Sequence, residues 1–234
     1  MADVAPLSRR LAAEGIGSFF LFACVIGSGI MAENLAGGNE AIALLGNTAA
    51  TAAMLFVLIT MLSPISGAHM NPAVSLVAAA DGQLRIGDAA AYILVQLSAG
   101  ILGAWAAHLM FDLPTLQLSL KARHGLGQWV GEAIATFGLI LTILGTARHR
   151  PAWVPATVAL YIAAAYWFTS STSFANPAIT VARSLSDTFS GIAPHDVPTF
   201  VLAQLAGAAS AWWVSRWLFS AAAAAPETFQ TQAH

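Results

Sequence analysis

Residues 41–80 contain no Asp, Glu, Lys or Arg, and neither do residues 151–182. A membrane-spanning helix takes about 20 mainly apolar residues, so each stretch is too long for one span and too short for two. Each also carries the tripeptide Asn-Pro-Ala, at Asn71-Pro72-Ala73 and at Asn176-Pro177-Ala178. Backbone that enters a bilayer without crossing it is tolerated only where it is buried in protein or beside a water-filled path. The two stretches therefore predict a full span followed by a half-length re-entrant segment, twice over. Further charge-free runs at 89–111, 133–147 and 197–215 complete the set. Six spans are expected near 8–31, 42–63, 88–110, 128–148, 154–170 and 196–219.

Composition agrees with an all-α membrane protein. The chain is 58% hydrophobic and 9% charged, where a soluble domain carries roughly 25% charged residues. No basic tract is present that could hold nucleic acid. The single cysteine, Cys24, excludes a disulfide within the chain and any cysteine-based metal cluster. No strand-like alternation runs long enough for a membrane barrel. Arg9-Arg10 followed by an apolar run has the outline of a secretory signal. Glu14 interrupts that run, however, and no small-x-small site with a polar domain follows it. Residues 220–234 are small and polar and read as a disordered tail.

Lysine and arginine set the expected orientation. With both termini in the cytoplasm, Arg9, Arg10, Arg85, Arg148, Arg150 and Arg216 fall on the inner side. Lys121, Arg123 and Arg183 fall on the outer side.

The chain repeats itself. "AAEGIGSFFLF" at 12–22 matches "VGEAIATFGLI" at 130–140, "NPAVSL" at 71–76 matches "NPAITV" at 176–181, and "QLSAG" at 96–100 matches "QLAGA" at 204–208. The three pairs come in the same order in both halves. An odd number of spans per half inverts one half relative to the other, the arrangement in which broken helices meet at the bilayer midplane.

Six spans, inverted halves and two Asn-Pro-Ala half-helices together resemble the aquaporin, or major intrinsic protein, family. The resemblance covers about residues 8–219, and "SGAHMNPAV" at 66–74 is close to that family's signature. It implies the aquaporin fold in one channel domain over 1–234, with repeats at about 8–115 and 125–219. It also implies a homotetramer with one pore per subunit.

The tripeptide has a physical reading of its own. Asn is a favoured N-cap and Pro a favoured first helical residue. Each Asn-Pro thus opens a short helix whose N-terminus carries roughly half a positive charge and unpaired N–H groups. Two such ends meeting at mid-membrane repel cations, and the two Asn amides can donate to a passing oxygen.

Glu14 and Glu132 are acids inside apolar spans, and such groups are functional by default. Ion coupling is one reading. Scaffolding is the other, each carboxylate accepting backbone N–H groups of a re-entrant loop. Their symmetric placement favours scaffolding, as does the resemblance. Gln96 and Gln204 are expected to hydrogen-bond between helices. Trp212, Trp213 and Trp217 suggest an interfacial belt. His69 is expected towards the cytoplasmic mouth, and His108, His124, His149 and His195 near loops as exposed imidazoles. No His and carboxylate cluster has metal-ligand spacing in the sequence, and no cofactor is called for.

In the family that the chain resembles, a filter is built outward of the Asn-Pro-Ala centre from helix two, helix five and the second re-entrant loop. Carried over, its positions are Thr51, Ser173 and Ile179. Water-selective members have a bulky aromatic at the first of these, and most members have an arginine at the last. The helix-five position is Ala164 counted back from Asn176 and Tyr166 counted forward from Pro155. Thr51 and Ile179 widen the filter and remove a cation with several fixed donors. Arg183 lies one helical turn beyond Ile179, on the same face. It either leans back towards the filter or snorkels at the interface beside Asp187 or lipid.

"SFANPAITVARSLSDTFSGI" at 173–192 is similar to the arginine-lacking bacterial channels associated with arsenic resistance. The expected function is a passive channel, not an enzyme. It would sit in the cell membrane, in a bacterium the inner one, and pass metalloid hydroxides such as arsenite, glycerol-like polyols and some water. The alternatives are a water-selective channel, an ion-coupled transporter using Glu14 and Glu132, and a structural membrane protein.

Overall fold

The computed structural model describes residues 5–220. Eight α-helices follow in chain order: α1 (Leu7–Leu35), α2 (Glu40–Ser66), α3 (Pro72–Ala80), α4 (Ile86–Met110), α5 (Leu126–His149), α6 (Val154–Phe168), α7 (Pro177–Ser184) and α8 (Val197–Leu218). Six helices are long and apolar enough to span a membrane, the fifth counted with a short 3-10 turn at Pro151–Trp153 and the sixth with one at Pro194–Asp196. α3 and α7 are the half-length helices. No strand occurs among the described residues. The tail expected at 220–234 lies outside them except for Ser220.

Following the chain through six crossings places both ends of the described chain on one face, here the terminus face. The loops 111–125 and 185–196 lie on the opposite, loop face. Arg10 donates to Asp88 at 2.9 Å and Arg85 reaches the same carboxylate at 3.1 Å, which pins α1 to the start of α4 on the terminus face.

The halves mirror each other in their packing. α1 packs on α2 and α4, as α5 packs on α6 and α8. Each half-helix sits against both α4 and α8, and the two half-helices touch. The seam is closed by glycines. A Cβ on Gly103 would strike the Phe19 carbonyl, and one on Gly207 would strike the Ala133 carbonyl, closer than any real Cβ contact. We expect Gly207→Ala to force α5 and α8 apart at a cost of about 1–3 kcal/mol. A melting temperature equal to wild type would show that the crossing has slack.

The outward surface is apolar. Leu94, Leu160, Leu202, Trp213 and Trp217 are all at least two-thirds exposed, as suits side chains that face lipid.

Several boundaries moved. α2 runs past Pro64 to Ser66 instead of stopping at 63, and Gly67 then ends it in the left-handed region at φ 88°. The proline removes one ladder bond without breaking the helix. α6 ends at Phe168, short of 170. His108, expected as an exposed loop imidazole, is fully buried. Its ring nitrogens meet the Thr115 carbonyl at 3.0 Å and the Ser186 hydroxyl at 2.8 Å, tying both loop-face segments to α4.

Candidate functional site

The two re-entrant loops fold alike, residue for residue. Gly67, Ala68 and Met70 have positive φ, and so do Thr172, Ser173 and Ala175 at the matching places before each Asn. L-residues reach this region at about 1–2 kcal/mol each. Buried carboxylates hold the loops there. Glu14 accepts the His69 and Met70 N–H groups at 2.9 and 2.7 Å, the Ser66 hydroxyl at 2.7 Å and the Gln96 amide at 2.8 Å. Glu132 accepts the Phe174 and Ala175 N–H groups at 2.8 and 2.9 Å and the Gln204 amide at 2.6 Å. Bonds to an ionised acceptor are roughly twice as strong as neutral ones.

Each loop ends on its Asn cap. Asn71 Oδ1 accepts the Ala73 N–H at 2.9 Å. Asn176 Oδ1 accepts those of Ala178 and Ile179 at 3.0 and 3.3 Å. The amides then cross over. Asn71 Nδ2 donates to the Ala175 carbonyl and Asn176 Nδ2 to the Met70 carbonyl, both at 2.8 Å. A carboxamide has two N–H donors, so each Asn keeps one beyond this lock.

Both asparagines line a cavity of about 260 Å³. Its lining runs from Gln83 and Ala147 near the terminus face, past Asn71 and Asn176, to Tyr166, Ile179 and Arg183 towards the loop face. One wall is apolar, built from α1, α2, α5 and α6 through residues such as Val25, Ile59, Ile143 and Ile162. The facing wall is the backbone of the two loops. His69 lines the terminus-face part, its Nδ1 3.1 Å from the Ser75 hydroxyl.

Thr51, Tyr166, Ser173 and Ile179 all line the cavity. Tyr166 Oη lies 3.5 Å from Thr51 Oγ1. The Ser173 hydroxyl is buried without a hydrogen bond among the described residues. Ala164, the other helix-five candidate, lies exposed on the outside of α6 and does not line the cavity.

Arg183 does not snorkel. It is 2% exposed and lines the cavity. Its guanidinium carbon lies 3.3 Å from the centre of the Phe174 ring, and its Nε donates to the Ser190 carbonyl. Asp187 accepts the Leu120 N–H instead.

In the sequence Arg123 stands out only as an outer cation. It is buried, and donates to the Gly191 carbonyl at 2.8 Å and the Ser171 carbonyl at 3.1 Å. Its guanidinium also approaches the Phe174 ring, at 4.9 Å. Burial pushes this guanidinium down to about 10, so it stays charged at neutral pH. Phe174 is thus flanked by two cations. No sequence signal marks Arg123, because a loop that folds back onto the loop-face mouth has no periodicity to read. The spacing of residues also hides a second grouping. Folding brings ligand atoms of His124, His195 and Asp196 within 4.8 Å of one another.

Six spans around a polar-seamed path, with two helix N-termini meeting inside it, define a membrane channel. The model of the family described as major intrinsic protein matches residues 1–171, which leaves the second Asn-Pro-Ala outside the match. A protein of Rhizobium meliloti named aquaglyceroporin AqpS is 54% identical over 216 residues, 92% of each chain. Aquaporin Z of Bradyrhizobium diazoefficiens is 26% identical over 90% of this chain and 93% of its own. The X-ray structure of the aquaglyceroporin from Plasmodium falciparum superposes with a TM-score of 0.71, covering 92% of this chain and 98% of that one at 19% identity. The chain therefore belongs to the major intrinsic protein family. It is a multi-pass membrane channel and not an enzyme.

Proposed function

We propose that the chain passes water and small neutral solutes down their gradients, and that uncharged polyhydroxyl molecules of glycerol size and undissociated arsenous acid are its main cargo. The observation that carries this reading is Ile179. It puts an apolar side chain in the cavity wall three residues after Asn176, with only Thr51 where a large ring would narrow the path. A solute with several hydroxyls finds an apolar wall on one side. On the other it meets the spare Asn71 and Asn176 donors. The name aquaglyceroporin, borne by a relative similar over nearly its whole length, supports a polyol pore. The names do not reach arsenite, which rests on the neutral polyol form of As(OH)₃ and on the likeness of residues 173–192.

Ion coupling through Glu14 and Glu132 has little room. Their carboxylates accept four and three hydrogen bonds from the chain itself. The oriented chain has its termini in the cytoplasm, since six of its nine Lys and Arg residues lie on the terminus face. It assembles as a homotetramer through part of its apolar outer surface.

The test is stopped-flow swelling and arsenite uptake in proteoliposomes. We expect Ile179→Arg to cut glycerol and arsenite permeability about tenfold or more, a barrier increase of about 1.4 kcal/mol, while water flux persists. Equal glycerol and arsenite flux in both proteins would overturn the account of the filter. The second reading, a water-selective pore, rests on Tyr166 standing in the cavity wall. It requires that wild type exclude glycerol in the same assay.

A further inference from the structure

Apart from the cavity, the loop face gathers three metal-ligating side chains that the pore does not use. His124 stands near the end of the loop joining the two halves, and His195 and Asp196 lie in the 3-10 turn that leads into α8. His124 Nδ1 is 3.9 Å from Asp196 Oδ2, and His195 Nε2 is 3.5 Å from Asp196 Oδ1. With bonds of about 2.0–2.2 Å, donors around a tetrahedral Zn²⁺ lie roughly 3.3 Å apart. These two pairs use different oxygens of Asp196, and one ligand atom from each residue falls within 4.8 Å of the others, so the spacing is open relative to a bound site. Both imidazoles are largely exposed, with side-chain accessibilities of 68% and 73%, so small rotations can close it.

The carboxylate is already held. Asp196 is buried, and its Oδ2 accepts the Arg123 N–H at 2.7 Å. Such outer bonds orient a metal ligand before the ion arrives. The Arg123 guanidinium itself is engaged by the Gly191 and Ser171 carbonyls and the Phe174 ring. Only its backbone meets the carboxylate.

We propose that His124, His195 and Asp196 form a divalent-metal site of the Zn²⁺ class, with a fourth position open to solvent. Two imidazoles and one carboxylate suit borderline metals such as Zn²⁺ and leave Mg²⁺ and Ca²⁺ poorly served. A bound ion joins the inter-half loop to the entry of α8. Through Asp196 and Arg123 it also braces Ser171, in the second re-entrant loop.

The experiment uses the full chain, freed of any affinity tag. Zn²⁺ is titrated against a chromogenic chelator, and Co²⁺ is followed separately by its visible absorption. Wild type is expected to bind one Zn²⁺ per chain saturably and to melt at a higher temperature in its presence. His124→Ala and His195→Ala should each weaken binding by about tenfold or more, and the double variant should lose both the stoichiometric binding and the melting shift. Both histidines are exposed, so metal-free melting and glycerol flux of these variants should match wild type, which separates loss of the site from misfolding. If the double variant does not fold, the single variants carry the comparison. Absence of saturable Zn²⁺ binding in wild type, or undiminished binding in the histidine variants, overturns the assignment.

Discussion

Replacing Glu132 with alanine is expected to undo the second re-entrant loop and abolish solute flux. The Phe174 and Ala175 N–H groups and the Gln204 amide would lose their acceptor in a buried place. An orphaned buried donor costs about 1–3 kcal/mol. The cost of the left-handed backbone at Thr172, Ser173 and Ala175 would then no longer be offset by the carboxylate. The combined loss is several kcal/mol, a large part of the roughly 5–15 kcal/mol that holds a typical domain together. Glu132→Gln should fall between, because one acceptor oxygen remains while an amide N–H now faces a backbone donor. Melting temperature and the monodisperse fraction in gel filtration measure the stability, and proteoliposome swelling measures the flux. An alanine variant with wild-type melting and glycerol permeability would show that the loop holds its own shape.

The second large effect is expected at Arg183. Among the described residues it is the only Lys or Arg in the cavity lining. Two unit charges at 4 Å interact by about 4 kcal/mol at an effective dielectric near 20. Allowing for water in the path, Arg183→Ala should raise proton or sodium leak by about tenfold or more, or about 1.4 kcal/mol. Glycerol flux should persist and report that the protein is folded. Arg183→Lys, measured at a pH low enough to keep the amine protonated, separates charge from packing, since it keeps a cation but loses the flat stacking on Phe174. If exclusion is electrostatic, the lysine variant stays tight and the alanine variant leaks. Unchanged leak and unchanged permeability ratios in Arg183→Ala would remove this residue from the filter.

Much of this architecture could be read from charge gaps alone. Six spans and two half-helices follow from where charges are absent and from Asn-Pro as a helix opening. What resisted reading was register and return. Counting towards helix five from its two ends gave Ala164 and Tyr166, because loop length between α6 and Asn176 is invisible to periodicity. Burial separates them, with Tyr166 at 4% exposure and Ala164 on the outside. Arg183 had two readings because a helix face can be inferred from spacing but its neighbour cannot. The structure lays its guanidinium on the Phe174 ring, in the cavity lining. From the sequence, His108 reads as an exposed imidazole near a loop and Arg123 as no more than an outer-side cation. They are buried because the loops fold back onto the mouth, a long-range event without local trace. The same folding joins His124 to Asp196, which are far apart in the chain.

The matched left-handed residues of the two re-entrant loops have one more consequence. Their shape is held through backbone N–H groups by acids that belong to other helices, so it does not depend on which side chains the loops carry. Ala68 and Met70 stand in one loop where Ser173 and Ala175 stand in the other, in the same conformation. The side chains that meet the solute are therefore exchangeable parts on a fixed frame. A lineage can retune such a pore by single substitutions, Ile179 among them, without having to invent a new fold for each cargo.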